Sequence, residues 1–136
     1  MTFPPTPTGE TSSHAGNCHC GAVQFHFILS PPLPEYPTAS CNCSICSKNG
    51  YLLVYPFQKD FVIDQGAEVL KEYRFGDRKA RHQFCSGCGS SCFIWPPPME
   101  GEPITAVNVR LLKDFDPEIL KINKVDGKSF PPKYKA

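Results

Sequence analysis

The residues best able to do chemistry in this chain are its eight cysteines, and they come in groups. Cys18-His19-Cys20 is followed by Cys41-Asn42-Cys43-Ser44-Ile45-Cys46, then Cys85-Ser86-Gly87-Cys88, with Cys92 trailing. Two cysteines separated by one or two residues can aim their sulfurs at a common point. Zinc asks for four ligands at tetrahedral angles, with Zn–S distances of roughly 2.3 Å. The two clean pairs, Cys18/Cys20 and Cys85/Cys88, together make one four-sulfur site that clamps distant parts of the chain and closes a long loop. Cys41, Cys43 and Cys46 are close enough in sequence to bind a second ion by themselves, leaving a fourth corner vacant. Four protein ligands make a closed structural site, whereas three plus an open corner is the pattern of a reactive one. The expectation is therefore two zinc ions on seven thiolates.

Other uses of the cysteines compete with this reading. A disulfide framework would employ all eight, but the clustering into C-x-C units and the lack of a secretory signal favour metal. Redox use of Cys85/Cys88 wants a helix N-terminus in a βαβ setting, and none is visible. Cys92 could complete the triplet and close that site too; flanked by Ser91 and Phe93, it reads better as an inward-facing strand thiol. Gly89, directly after Cys88, suits a knuckle turn whose N–H groups point at sulfur. The histidines are weaker candidates. His19 sits between two ligands and should point away from their metal, His26 alternates with apolar residues, and His14 lies in the N-terminal lead-in. His82, just upstream of Cys85, is placed to line a pocket. With Lys48 and Asn49 it is a candidate to steady a carboxylate-bearing thiol.

Short strands must position these groups. The 136 residues suit one domain, and 15 prolines with 10 glycines leave much of the chain to turns. Residues 1–16 are polar and proline-rich and read as loosely ordered, with a flexible lead-in over 1–13 and the zinc domain over 14–136. From Val23 to Leu29 apolar residues alternate with Gln24 and His26, which predicts a strand. The prolines at 31, 32, 34 and 37 mark a surface loop. Further strands are expected at Tyr51–Tyr55, Phe61–Ile63, Val69–Arg74, His82–Cys85, Cys92–Trp95 and Thr105–Leu111. Asp116-Pro117-Glu118 could start a helical turn, and the tail from Lys121 reads as a solvated end. No segment keeps a helical apolar period, so the fold class is mainly β, of short antiparallel strands stapled by zinc.

Bulk properties narrow the partners. A formal net charge of +1 offers no field for duplex DNA or an anionic membrane, so neither nucleic acid nor membrane is expected as a partner. No run approaches the roughly 18 apolar residues of a spanning helix. The N-terminal stretch lacks the basic and apolar regions of a signal peptide, which points to a reducing, cytoplasmic setting.

Three runs carry a family resemblance: Gly16–Val23, Cys41–Gly50 and Phe84–Gly89. With Val107-Asn108-Val109-Arg110 and Phe130-Pro131-Pro132, they resemble the glutathione-dependent formaldehyde-activating enzyme (GFA) family, also called the CENP-V/GFA domain. The resemblance spans about residues 14–134. It implies an Mss4-like "β-tent" with two zinc sites: Cys18, Cys20, Cys85 and Cys88 around a structural ion, and Cys41, Cys43 and Cys46 around a second whose fourth ligand can be the thiol of glutathione. In the family a basic residue often follows the third triplet cysteine; here Ser47 stands there and Lys48 comes next.

The implied activity is carbon–sulfur bond chemistry, of a lyase type, on a glutathione or other thiol adduct such as S-hydroxymethylglutathione. Zinc favours thiolate over thiol. Three thiolates leave zinc a modest Lewis acid, so thiol handling suits this site better than hydrolysis. A zinc-stabilised binding module without turnover is the alternative reading.

Overall fold

Phe25, Phe27 and Leu29 alternate with exposed His26 and Ile28, and in the computed structural model they bury one face of strand β2 (Gln24–Leu29). The structure describes residues 4–131 and 133–136. β2 lies between β1 (Ser12–Asn17) and β5 (Phe61–Gln65) in a three-stranded antiparallel sheet. A second sheet holds seven strands in the order β10 (Ile122–Val125), β3 (Thr38–Cys41), β4 (Leu53–Val54), β9 (Ala106–Asn108), β8 (Ser91–Trp95), β7 (Arg81–Cys85) and β6 (Leu70–Tyr73). Its neighbours are antiparallel except β10 and β3, which run parallel. Helix α1 (Ser44–Asn49) links β3 to β4.

Aromatic side chains join the two sheets. Phe93 of β8 meets Phe25 of β2 edge-on at 5.0 Å between ring centroids, and Phe61 of β5 at the same separation. Edge-to-face contacts of this kind match the ring quadrupoles and add to the burial of large apolar surfaces. Val23, Val54, Val107 and Val109 fill the space around them. β3 ends on Cys41, β7 ends on Cys85 and Cys18 directly follows the last residue of β1, so this core fixes where the sulfur groups lie.

Several elements differ from the sequence expectation. Residues 12–16 are ordered: they pair with β2 along its length, and the His14 side chain is buried against Phe27. Small and polar residues gave this strand no apolar alternation to announce it. Gly16 is required there, because a Cβ would come within 2.6 Å of the Leu111 carbonyl oxygen and the Phe25 ring. The tail from Lys121 is not simply a solvated end, since Ile122–Val125 form β10 beside β3. That partner lies some eighty residues away, and a polar edge strand carries no local signal of its pairing. The Thr105–Leu111 strand stops at Asn108, whose side chain accepts from the Arg110 N–H at 3.2 Å and opens a 3-10 turn over Val109–Leu111. Of Tyr51–Tyr55 only Leu53–Val54 joins the ladder, although Tyr51 and Leu52 are buried as well. Asp116 accepts from the Glu118 N–H at 3.0 Å in a side-chain turn that does not grow into a helix. Residues 1–3 of the expected lead-in and Pro132 of the Phe130–Pro132 run lie outside the described residues. No described helix is long and apolar enough to cross a membrane.

Candidate metal centres and substrate cavity

Cys18 and Cys20 follow directly on β1, Cys85 ends β7, and Cys88 sits in the tight turn that leads to β8. Gly89 closes that turn, donating its N–H to the Cys85 carbonyl at 2.8 Å with a left-handed φ of 80°. The four Sγ atoms lie within 4.8 Å of one another. Cys18 and Cys20 sulfurs are 3.6 Å apart, and Cys20 and Cys85 sulfurs 3.7 Å. A tetrahedron with Zn–S bonds of roughly 2.3 Å has S···S edges of about 3.8 Å, so this donor set fits such an ion. A disulfide would need about 2.0 Å, and all eight cysteines are unpaired.

Polar neighbours support these sulfurs. The Val23 N–H donates to Cys18 Sγ at 3.2 Å, and the Ser90 hydroxyl lies 3.2 Å from Cys88 Sγ. The Ser90 hydroxyl and amide pull the Cys88 thiol down to about 5. Cys20 is pushed up to about 11: the Ala22 amide lowers it, but the neighbouring sulfurs of Cys18 and Cys85 outweigh that pull. Opposed shifts of this kind are expected of sulfurs that share one site and titrate together.

The second group forms where β3 runs into α1. Cys41 ends the strand, Cys43 precedes the first helical residue, and Cys46 is buried within the helix. Their three Sγ atoms also lie within 4.8 Å of one another, and no further His, Cys, Asp or Glu joins them among the described residues. The Cys43 N–H donates to Cys41 Sγ at 3.4 Å. Burial opposes ionisation at all three. At Cys43 the amides at the start of α1 and the adjacent sulfurs outweigh it and lower the thiol, whereas Cys41 and Cys46 are raised.

A turn that sequence reasoning missed covers this triplet. After β10, a 3-10 turn at Gly127–Ser129 brings Gly127 so near that a Cβ there would overlap Cys41 Sγ and approach Cys43 Cβ to 3.2 Å. The Asn42 side-chain amide donates to Asp126 at 2.8 Å, and Asn42 Oδ1 accepts from the Lys128 N–H, also at 2.8 Å. Only the lone glycine at 127, between charged residues, could have hinted at a close approach.

Two cavities flank α1. The one holding Cys41 and Cys46 has a volume of about 460 Å³ and is bordered by Arg110, Lys124 and Asp126. The other, about 490 Å³, is lined by rings, among them Tyr51, Tyr73, Phe75 and Phe84. Lys48, Asn49 and His82 all border this second cavity and not the one that contains the sulfurs. His82 is buried there with Nδ1 3.5 Å from the Tyr51 hydroxyl, and burial lowers its pKa. His19 is exposed, and His26 pairs with Asp64 at 2.9 Å on the outer face. Cys92 stays outside both groups: fully buried, it donates to the Ser90 carbonyl at 3.2 Å, and burial pushes its thiol up to about 12.

A mainly β scaffold here bears one four-cysteine and one three-cysteine cluster, each a set of sulfurs that could hold a metal ion. More narrowly, this chain belongs to the glutathione-dependent formaldehyde-activating enzyme (GFA) family, whose model matches residues 13–124, and its architecture is the Mss4-like fold. A Halomonas elongata protein, provisionally named a glutathione-dependent formaldehyde-activating enzyme, is 35% identical over 91 residues. That match covers 60% of this chain and 55% of the relative, so the chain matches only about half the length of its curated relative. The crystal structure of a Rhodobacter sphaeroides protein superposes with a TM-score of 0.66 at 31% identity, covering 76% of this chain and 92% of the other.

Proposed function

We propose that this protein is a zinc-dependent enzyme of the carbon–sulfur lyase type, acting on an adduct of glutathione or a related thiol such as S-hydroxymethylglutathione. In this reading Cys18, Cys20, Cys85 and Cys88 hold a structural zinc, and Cys41, Cys43 and Cys46 hold a second one. Zinc on the triplet would supply an unfilled corner that favours thiolate over thiol, together with modest Lewis acidity.

The observation that carries the reading is the triplet itself: three sulfurs gathered without a fourth protein donor, two of them bordering a cavity of about 460 Å³. That size lies in the range of about 300–1,000 Å³ usual for small-molecule sites and accommodates a tripeptide thiol. The chain's own part is to hold the thiol so that its sulfur lies at the triplet while the rest of the molecule occupies the cavity. In the addition direction a sulfur–carbon bond forms, the carbonyl π bond opens, and the thiol proton ends on the former carbonyl oxygen. The cleavage direction reverses each change. Gly127 and the Asn42–Asp126 contact keep the triplet in place during either. We infer a cytoplasmic setting, where eight thiols stay reduced.

Metal analysis paired with a glutathione titration tests the proposal. Two zinc ions per chain, one of them changing its spectroscopic or binding signature with glutathione, is the expected result. Two ions indifferent to any thiol would leave the protein a zinc-stabilised binding module.

A further inference from the structure

The cavity that contains Cys41 and Cys46 is bordered by two cations, Arg110 and Lys124, and one anion, Asp126. None of the three takes part in an ion pair among the described residues. Arg110 is nonetheless held in position: its Nε–H donates to the Gly50 carbonyl at 2.7 Å, and its guanidinium lies 6.0 Å from the centre of the Phe115 ring. One of five N–H donors is thereby used, and the remainder of the planar fork is free for a carboxylate. Lys124 stands on the exposed side of β10, paired in register with Ser40 next to Cys41. Asp126 is fixed by Asn42 at 2.8 Å and by the Ser129 hydroxyl at 2.5 Å. Each of its oxygens keeps acceptor capacity beyond those single bonds.

This charge set is the complement of one kind of thiol. Glutathione at neutral pH carries two carboxylates and one ammonium, against two cations and one carboxylate here. Resting on the thiol reading above, we propose that Arg110 and Lys124 take the two carboxylates and Asp126 the ammonium. The cavity is thereby selective for a zwitterionic dicarboxylate thiol over a neutral one. The ring-lined cavity on the other side of α1 offers Lys48 alone as a cation and borders no sulfur of the triplet, so it lacks this match.

Isothermal titration of the zinc-loaded full chain tests the assignment with three probes: glutathione, its diethyl ester with both carboxylates masked, and 2-mercaptoethanol. Glutathione should bind at least about tenfold more tightly than the ester, and the difference should shrink with added salt. Lys124→Gln should weaken glutathione about fivefold or more while leaving the ester and 2-mercaptoethanol unchanged. Arg110→Gln should act in the same direction, but it also releases Gly50, so the strand-surface Lys124→Gln is the deciding variant. An ester that binds as tightly as glutathione, or a Lys124→Gln loss equal for all three probes, would overturn the charge assignment and leave the thiol site standing. Failure of all three thiols to bind the zinc-loaded wild type would overturn the thiol site, and this inference with it.

Discussion

Asn42 and Asp126 are joined by a 2.8 Å hydrogen bond across 84 positions of sequence, and that contact fastens the C-terminal turn over the cysteine triplet. The bond is half of a reciprocal arrangement, because Asn42 also accepts from the Lys128 N–H. Gly127, enclosed between these two anchors, is pressed against Cys41 and Cys43.

Gly127→Ala should therefore damage the second site selectively. The added methyl would overlap Cys41 Sγ and crowd Cys43 Cβ at 3.2 Å, so Cys41 must shift out of the triplet. Neighbours of metal ligands typically account for about 10–100-fold in metal affinity, and a loss of that order is expected. Elemental analysis after dialysis should show metal falling from two ions to about one, with an unaltered circular dichroism spectrum. Retention of both ions at wild-type affinity would contradict the role given to this turn.

The two cysteine groups should respond differently to mutation. On the zinc reading proposed above, Cys85→Ser would remove a ligand that ties β7 to the segment after β1, and a structural zinc contributes roughly 10 kcal/mol or more of apparent binding energy in small domains. Loss of cooperative unfolding or insolubility is the expected outcome. Cys43→Ser affects a group contained within six residues, so the fold should persist while glutathione binding disappears. Equal collapse of both variants would remove the division into structural and reactive sites.

Cys92 offers a test in the opposite direction. Because it lies outside both sulfur groups, Cys92→Ala should keep two metal ions and cost only the packing of a small buried side chain, about 1 kcal/mol. Native wild-type protein should also resist alkylation at this position, since its thiol is buried and pushed up to about 12. Loss of one ion in the alanine variant would make Cys92 a ligand after all.

Stability should decline on acidification through two buried histidines. Burial lowers the pKa of His82; it also lowers that of His14, where the Asp114 charge opposes it in part. The unfolded chain, with histidine near 6.5, binds more protons than the folded one between the lowered values and that figure. The histidine contribution is then level above about pH 6.5 and is lost as the pH drops below it. Urea midpoints measured at pH 7.5 and 5.5 should show a smaller decrease for His82→Phe than for wild type, since effects of acid on the cysteine groups are common to both. An undiminished decrease in the variant would exclude His82 as a contributor.

Strands with apolar alternation were legible because period-two burial is a local property: Phe25, Phe27 and Leu29 reveal β2 without reference to any partner. The same logic failed for Ser12–Asn17 and Ile122–Val125, whose place in a sheet is granted by the strands they pair with and not by their own side chains. Candidate substrate contacts divided along similar lines. Lys48 and Asn49 stand close to Cys46 in sequence, and α1 places them at the ring-lined cavity, outside the lining of the one that holds Cys41 and Cys46.

Cysteine spacing by itself marked out the pairs Cys18/Cys20 and Cys85/Cys88 and the triplet Cys41, Cys43 and Cys46, because residues one to three apart share a short reach, while the folded core brings the two pairs into one group. What surrounds the triplet was decided only by tertiary structure. Arg110 arrives from the turn after β9, while Lys124, Asp126 and Gly127 arrive from the last strand and its turn. The physical reason is that a parallel pairing between β3 and β10 can be joined only by a long crossover. Contacts made across such a separation depend on the whole folded core, and no local pattern of side chains records them.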